Sequence, residues 1–322
     1  MKKFIFIAFI PLILGIILLV AGAVLFIVGL NGRQYEKTEL NTCDLSGKTF
    51  SNIDIALTTE DIIFEVSEDG SKKVVFREGR NFSHDAEVEN GVLLIRARDD
   101  RRWYDKIFGL YYSKMTVTVF LPAGEYGSLK IESSTGGITI PKGLSFGSVG
   151  IKLSTGSVSG SIIARETASV ESSTGSISLD EVQAEKLRSS ASTGNITVKN
   201  VGVVNDIDLK TSTGNISLSG AAGGALRVST STGRVTLAKT VITGSMTVNT
   251  STGSVYFDDS DAESVRIETT TGSVRGSLLT DKIFSVTTKT GKTDVPVSTS
   301  GGLCRIITNT GNVSIVIKKQ GS

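Results

Sequence analysis

Hydrophobic residues fall along this chain in two different patterns. From Phe4 to Leu30 runs a stretch of 27 residues without a charge. From about residue 48 onward, apolar and polar residues alternate in short segments, the period of a half-buried strand. The first pattern exceeds the ~20 residues with which a helix spans a bilayer core. It also exceeds the ~7–15 apolar residues of a cleaved signal peptide, and Val28-Gly29-Leu30-Asn31-Gly32 is a poor cleavage site. It predicts one uncleaved transmembrane helix over residues 1–32, contacting the lipid bilayer through residues 4–30, with Pro11 near the helix start where a missing N–H does least harm. Lys2 and Lys3 flank one end, and Arg33 and Lys37 flank the other among Glu36 and Glu39. The slight positive bias places the N-terminus in the cytoplasm and the rest of a single-pass cell-membrane protein outside. Ala8, Gly15, Gly22 and Gly29 recur every seven residues. Such a stripe would let two helices pack closely into a homo-oligomer, although small residues are common in membrane helices in any case.

In the second pattern Thr-Gly pairs recur. Their glycines are Gly136, Gly156, Gly175, Gly194, Gly214, Gly233, Gly253, Gly272, Gly291 and Gly311, in steps of 19 or 20 residues. With each glycine as position 0, apolar residues stand at −7 and −5 and again at +2 and +4. Around Gly214 these are Ile207, Leu209, Ile216 and Leu218, with polar residues between. Exceptions include Ser189 at −5, Gly160 and Gly276 at +4, and Thr293 at +2. Each repeat is therefore two short strands about a corner that a Cβ would oppose. Such strands bury nothing alone, so the repeats must stack. The predicted fold is all-β: a single-stranded parallel β-solenoid of about ten 19–20-residue rungs over residues 127–317, about 45–50 Å long at ~4.8 Å per rung. Thr211, Thr230, Thr250, Thr269, Thr288 and Thr308 share position −3, and a ladder of hydroxyls bonded to backbone at the bend is expected there.

Residues 48–126 lack the Thr-Gly period but carry strand patterns such as Ile53–Leu57, Ile62–Val66 and Met115–Leu121. They read as a β-rich N-terminal part that caps the rod, and residues 33–47 as a membrane-proximal linker. At the far end Val313–Ile317 is expected to be the bare last rung, before a tail of residues 318–322. Two readings compete there: Lys318 and Lys319 keep the edge from pairing, the favoured one, or the edge docks a strand.

Composition narrows the chemistry. His84 is the one histidine, which argues against a His-centred triad or a multi-histidine metal site. Cys43 and Cys304 lie at opposite ends and are expected to be free thiols. Beyond residue 32 there remain 32 basic residues (34 less Lys2 and Lys3) against 32 acidic ones, so no nucleic-acid partner is indicated. Ser46-Gly47-Lys48-Thr49 and Thr290-Gly291-Lys292-Thr293 lack the first glycine of a phosphate-binding loop. Asp258, Asp259, Asp261 and Glu263 are acidic enough for calcium, but read better as a solvated loop between rungs. No catalytic residue, cofactor or metal ligand is called.

Two surface features stand out. Ser157, Ser159, Ser176, Ser178, Asn195, Thr197, Asn215 and Ser217 occupy +1 and +3 and would stack into an outward array of hydroxyls and amides. It is either a glycan-binding face or simply a well-packed exterior. The segment 101–112 holds the one tryptophan and three of the six tyrosines. Arg101, Arg102, Trp103 and Tyr104 there are either a cover for the end of the rod or a tip that contacts lipid headgroups or a partner.

The stretch Leu121-Pro122-Ala123-Gly124-Glu125-Tyr126, followed by Leu129-Lys130-Ile131-Glu132-Ser133-Ser134-Thr135-Gly136, resembles the hallmark of a bacterial β-strand-repeat family of putative adhesins, domain of unknown function 4097. The resemblance spans about 49–317 and includes the recurring Ser-Thr-Gly corner. It implies a membrane-anchored envelope protein that binds at the surface and offers no catalytic residues to carry over. The expected function is non-enzymatic: an adhesin or an envelope scaffold associated with stress, with a cell-wall glycan or an envelope protein as partner. The alternatives are a glycan-cleaving β-helix enzyme and a self-assembling scaffold.

Overall fold

Alternation on both sides of a corner gives each coil one apolar face, and the apolar faces meet inside a stack. A computed structural model of the chain describes residues 39–79, 82–99 and 115–318. These form 23 strands of a single sheet wound into a parallel β-solenoid. Strand Ile196–Thr213 pairs in parallel with Ile177–Thr193 on one side and with Ile216–Gly223 and Ala225–Thr232 on the other. Like positions stack: Leu187, Ile207 and Leu226 form one interior column, and Ile177, Ile196 and Ile216 another. All six are buried. Among the described residues no helix is long and apolar enough to cross a membrane. The apolar run 4–30 and the Arg101–Tyr104 segment lie outside the described residues.

The corner glycines owe their identity to stacking. A Cβ on Gly214 would sit 2.0 Å from the carbonyl oxygen of Gly194, and the same contact recurs down the column. Most of these glycines also have φ between +124° and +156°. Gly253 does not, yet its Cβ would lie 1.8 Å from the Gly233 oxygen, so closeness between coils is the common cause. That carbonyl is also an acceptor: Thr211 Oγ1 donates to Gly194 O at 3.1 Å and Thr230 Oγ1 to Gly214 O at 3.2 Å. A second bend lies at +6, where Glu181, Asn200, Gly220, Lys239 and Asp259 take left-handed φ values of +46° to +67°.

The N-terminal part is more regular than its sequence suggests. Strands Asn52–Leu57 and Asp61–Ser67 form a coil in register with the repeats, with Ile53 opposite Leu129 and Ile62 opposite Ile138. Outside it lies a coil of Val92–Asp99 and Thr116–Pro122. Antiparallel strands Lys73–Glu78 and Phe82–Glu89 then cover that edge, and Glu39–Asp44 pairs antiparallel with Lys73–Glu78.

At the distal end spatial order departs from chain order, which corrects the expected last rung. Strand Gly302–Thr310 lies between Val255–Thr271 and Lys282–Thr290. Strand Val313–Ile317 lies between Val274–Leu278 and Thr293–Asp294. The corners accordingly stack as Gly272, Gly311, Gly291. Among the described residues the outermost strand is Lys282–Thr290. Ile315–Ile317 pair only inward among the described residues, and the Lys318 Nζ beside them lies 3.0 Å from Asp258 Oδ1 and 2.9 Å from Asp259 Oδ1. Lys319 lies outside the described residues.

Candidate functional site

Where the chain turns into each corner, position −4 and the serine at −2 both face outward. Register stacks the −4 residues into one column: Glu132, Lys152, Glu171, Ser190 and Lys210. Beside it runs a column of exposed serines, Ser134, Ser154, Ser173, Ser192 and Ser212. Together they line an open groove of about 800 Å³ that spans the coils from Leu57 to Ser212. With parallel strands ~4.8 Å apart, these five rungs make a track about 20 Å long. Neither Lys152 nor Lys210 closes an ion pair among the described residues, and none of the five serines makes a side-chain hydrogen bond there. The groove thus offers hydroxyls at a fixed repeat beside a column that runs acidic, basic, acidic, neutral, basic. The Ser in each Ser-Thr-Gly corner was visible in the sequence, but the corner drew attention to its glycine.

The eight residues at +1 and +3 do face outward, on the other side of the corner. Their register is regular, with Ser159, Ser178, Thr197 and Ser217 in one column. Three of the four +1 side chains use their oxygens to hold coils together. Asn195 Oδ1 accepts the Asn215 N–H at 2.8 Å, and Asn215 Oδ1 accepts the Arg234 N–H at 2.8 Å. Ser157 Oγ likewise accepts the Ser176 N–H at 3.3 Å.

His84 lies at the N-terminal end between two carboxylates. Its Nε2 is 3.1 Å from Glu60 Oε1 and its Nδ1 is 3.1 Å from Glu78 Oε1. The ring stacks on Phe76, with centroids 5.2 Å apart and planes 5° apart. Each ring nitrogen thus faces a carboxylate oxygen. Glu60 occupies the corner position of its coil, and its backbone oxygen packs where a Cβ on Gly136 would fall, 2.1 Å away. Burial works against its charge. The hydrogen bond to His84 and those from the Thr59 and Thr58 amides outweigh burial and hold the carboxyl below its ordinary range.

Three of the four acidic residues meet lysines, and the cluster lies within strand Val255–Thr271, so the loop expected there is not one. Lys318 bonds Asp258 and Asp259, and a buried Lys282 Nζ lies 2.6 Å from Asp261 Oδ1. The hydrogen bond from Lys318 holds the Asp259 carboxyl below its ordinary range. No group of three or more His, Cys, Asp or Glu side chains poised to hold a metal ion occurs among the described residues. Both cysteines are free, and burial pushes the Cys304 thiol up to about 12.

A parallel β-solenoid with a polar, open groove and a histidine locked between carboxylates has the features of a binding or structural repeat protein. The Toastrack DUF4097 family profile matches residues 50–204 and 201–322, and the chain belongs to that family. The two matches meet inside strand Ile196–Thr213, so they are halves of one continuous stack. Similar solved structures include a putative adhesin from Bacteroides fragilis NCTC 9343, 15% identical over 86% of this chain and 97% of that one, with a TM-score of 0.40. Another is a putative adhesin from Parabacteroides distasonis ATCC 8503, 15% identical over 88% and 99%, TM-score 0.43. A third, a putative lipid binding protein from the same organism, is 17% identical over 74% and 96%, TM-score 0.40. No curated protein matches the chain.

Proposed function

We propose that this is a non-enzymatic surface protein, anchored by residues 4–30 with its solenoid outside, which binds an extended cell-envelope glycan along the groove. The groove carries the reading. Five rungs repeat a serine hydroxyl beside a column of mixed charge, which suits a linear polymer rich in hydroxyls and bearing both charges. Glu132 and Glu171 are two rungs apart, on the order of the separation used by inverting glycosidases. Both are exposed, whereas a general acid needs a shielded carboxyl, so binding is favoured over cleavage. The test is co-sedimentation of the protein with purified envelope polysaccharides. Ser173→Trp, which fills the groove, and Lys152→Glu with Lys210→Glu should each abolish binding without changing the far-ultraviolet circular dichroism. Binding that survives all of these changes refutes the groove, and release of reducing ends refutes the non-enzymatic reading.

A further inference from the structure

The distal end holds a coil that enters the stack out of turn. From Leu278 the chain steps over a vacant layer to lay down Lys282–Thr290 and Thr293–Asp294. It then returns through residues 295–301 to fill the gap with Gly302–Thr310 and Val313–Ile317. Among the described residues, Lys282–Thr290 has no strand neighbour besides Gly302–Thr310. The final coil is therefore what holds the outer one in place.

Both coils carry the repeat, so each can occupy the inner layer. Phe284, Val286 and Thr288 match Cys304, Ile306 and Thr308 position for position, and both sets match Val265, Ile267 and Thr269. Composition decides the order. Cys304, Ile306, Val313 and Ile315 are fully buried in the inner layer. The outer coil has Thr293 where the others have Ile or Val, and Pro296 shortly after it. A proline has no N–H for a ladder, so it belongs at an edge. The entry point is shaped for the insertion. A Cβ on Gly301 would lie 1.8 Å from Asp281 O, and one on Gly302 would lie 1.7 Å from Glu263 O. Across this glycine pair, Lys282 reaches back to Asp261 of strand Val255–Thr271, on the far side of the inserted strand, and both side chains are buried.

We propose that residues 302–317 form a strap that inserts between two layers and sets a two-state register at the tip of the rod. With the strap in, Lys282–Thr290 is the outer edge. With the strap out, residues 282–294 drop one layer and pair directly with Val265–Thr271, and the strap becomes free to lie over them or to leave. The shape of the tip, and the edge it shows to a partner, then depend on whether the strap is seated.

Cysteine crosslinking in the full chain reads the register, because disulfides form between adjacent strands but not across an intervening one. Arg266, Arg305 and Ser285 stack in one exposed column in that order. In a background of Cys43→Ser and Cys304→Ala, mild oxidation should join Arg266→Cys to Arg305→Cys, and Ser285→Cys to Arg305→Cys. It should join Arg266→Cys to Ser285→Cys at least tenfold more slowly. Adding Gly302→Val, which blocks strap entry, should raise that last crosslink at least tenfold, while the main thermal transition of the rod persists. Ready joining of Arg266→Cys to Ser285→Cys without Gly302→Val overturns the inserted order. If Gly302→Val leaves that crosslink unchanged, the two-state register is wrong. If it abolishes the main transition as well, the strap is no separate element and the proposal also fails.

Discussion

If close stacking rather than backbone conformation demands glycine at the corners, Gly253 is the place to show it. Its φ is outside the left-handed range, so alanine there adds only a Cβ, placed 1.8 Å from the Gly233 oxygen. A Cβ does not approach a non-bonded atom closer than 3.0 Å, so the two coils must separate by about 1.2 Å at that corner. Two bonds span the gap: Gly233 N–H to Thr252 O at 2.9 Å and Val235 N–H to Ser254 O at 3.1 Å. Stretching both leaves buried backbone groups poorly paired, at about 1–2 kcal/mol each, so Gly253→Ala should cost about 2–4 kcal/mol. Gly214→Ala meets the same contact at 2.0 Å and also a φ of +155°, which is worth about 1 kcal/mol more. Gly202→Ala is the control: nothing lies within 4 Å of its Cβ, and its φ is ordinary, so it should be neutral or slightly stabilising. Urea unfolding followed by circular dichroism measures all three. If Gly253→Ala behaves like Gly202→Ala while Gly214→Ala unfolds early, backbone conformation is the cause and the stacking argument is wrong.

Two further changes test other parts of the ladder. Glu60→Gln breaks a buried pair with His84 and should lower stability by about 3 kcal/mol at pH 7. Because the Glu60 carboxyl is held below its ordinary value of 4.5, its contribution is complete above that pH and is lost as pH falls further. Wild type and variant should therefore converge in acid, and a constant difference down to pH 2 would show that charge is not involved. Thr230→Val removes a hydroxyl bonded to Gly214 O and should cost about 1 kcal/mol, whereas the Thr250 hydroxyl has no partner among the described residues, so Thr250→Val should be neutral or stabilising. Equal losses in denaturant midpoint would mean that the hydroxyl bond is not what position −3 provides.

The solenoid was legible because two signals coincide on one period: a glycine that stacking requires and apolar pairs at −7, −5, +2 and +4. Where one signal drops out, reading by Thr-Gly alone loses the coil. Ile53, Ile55, Ile62 and Phe64 keep all four apolar positions, but Thr59-Glu60 replaces Thr-Gly. The +6 bend leaves no residue signature, because an isolated left-handed residue is tolerated by Glu, Asn, Lys and Asp as well as Gly. The interleaved tip was written in Thr293 and Pro296, both out of character for an inner rung. Sequence order alone makes the last repeat the outermost, and only pairing shows otherwise. The groove escaped notice for a different reason. Residues at −4 differ from rung to rung, so their mixed charge acquires meaning once register stacks them.

That periodicity shapes how the groove should bind. A site built from one pocket concentrates its affinity in a few side chains. A track of equivalent rungs spreads it, because each serine presents the same hydroxyl to the next unit of a polymer. Each such hydrogen bond is worth about 0.5–1.5 kcal/mol net, or about twofold to twelvefold in affinity. Ser173→Ala alone should therefore weaken glycan binding by no more than about tenfold. Ser154→Ala, Ser173→Ala and Ser192→Ala combined should weaken it by roughly the product of the single effects, since each hydroxyl faces a different unit. Short oligosaccharides should bind far more weakly than long ones, with affinity rising until the ligand spans the track of about 20 Å and then levelling off. Isothermal titration against a ladder of chain lengths measures both trends. If one serine abolishes binding while its neighbours change nothing, or if affinity is independent of ligand length, the ligand sits in a single pocket and the track argument is refuted.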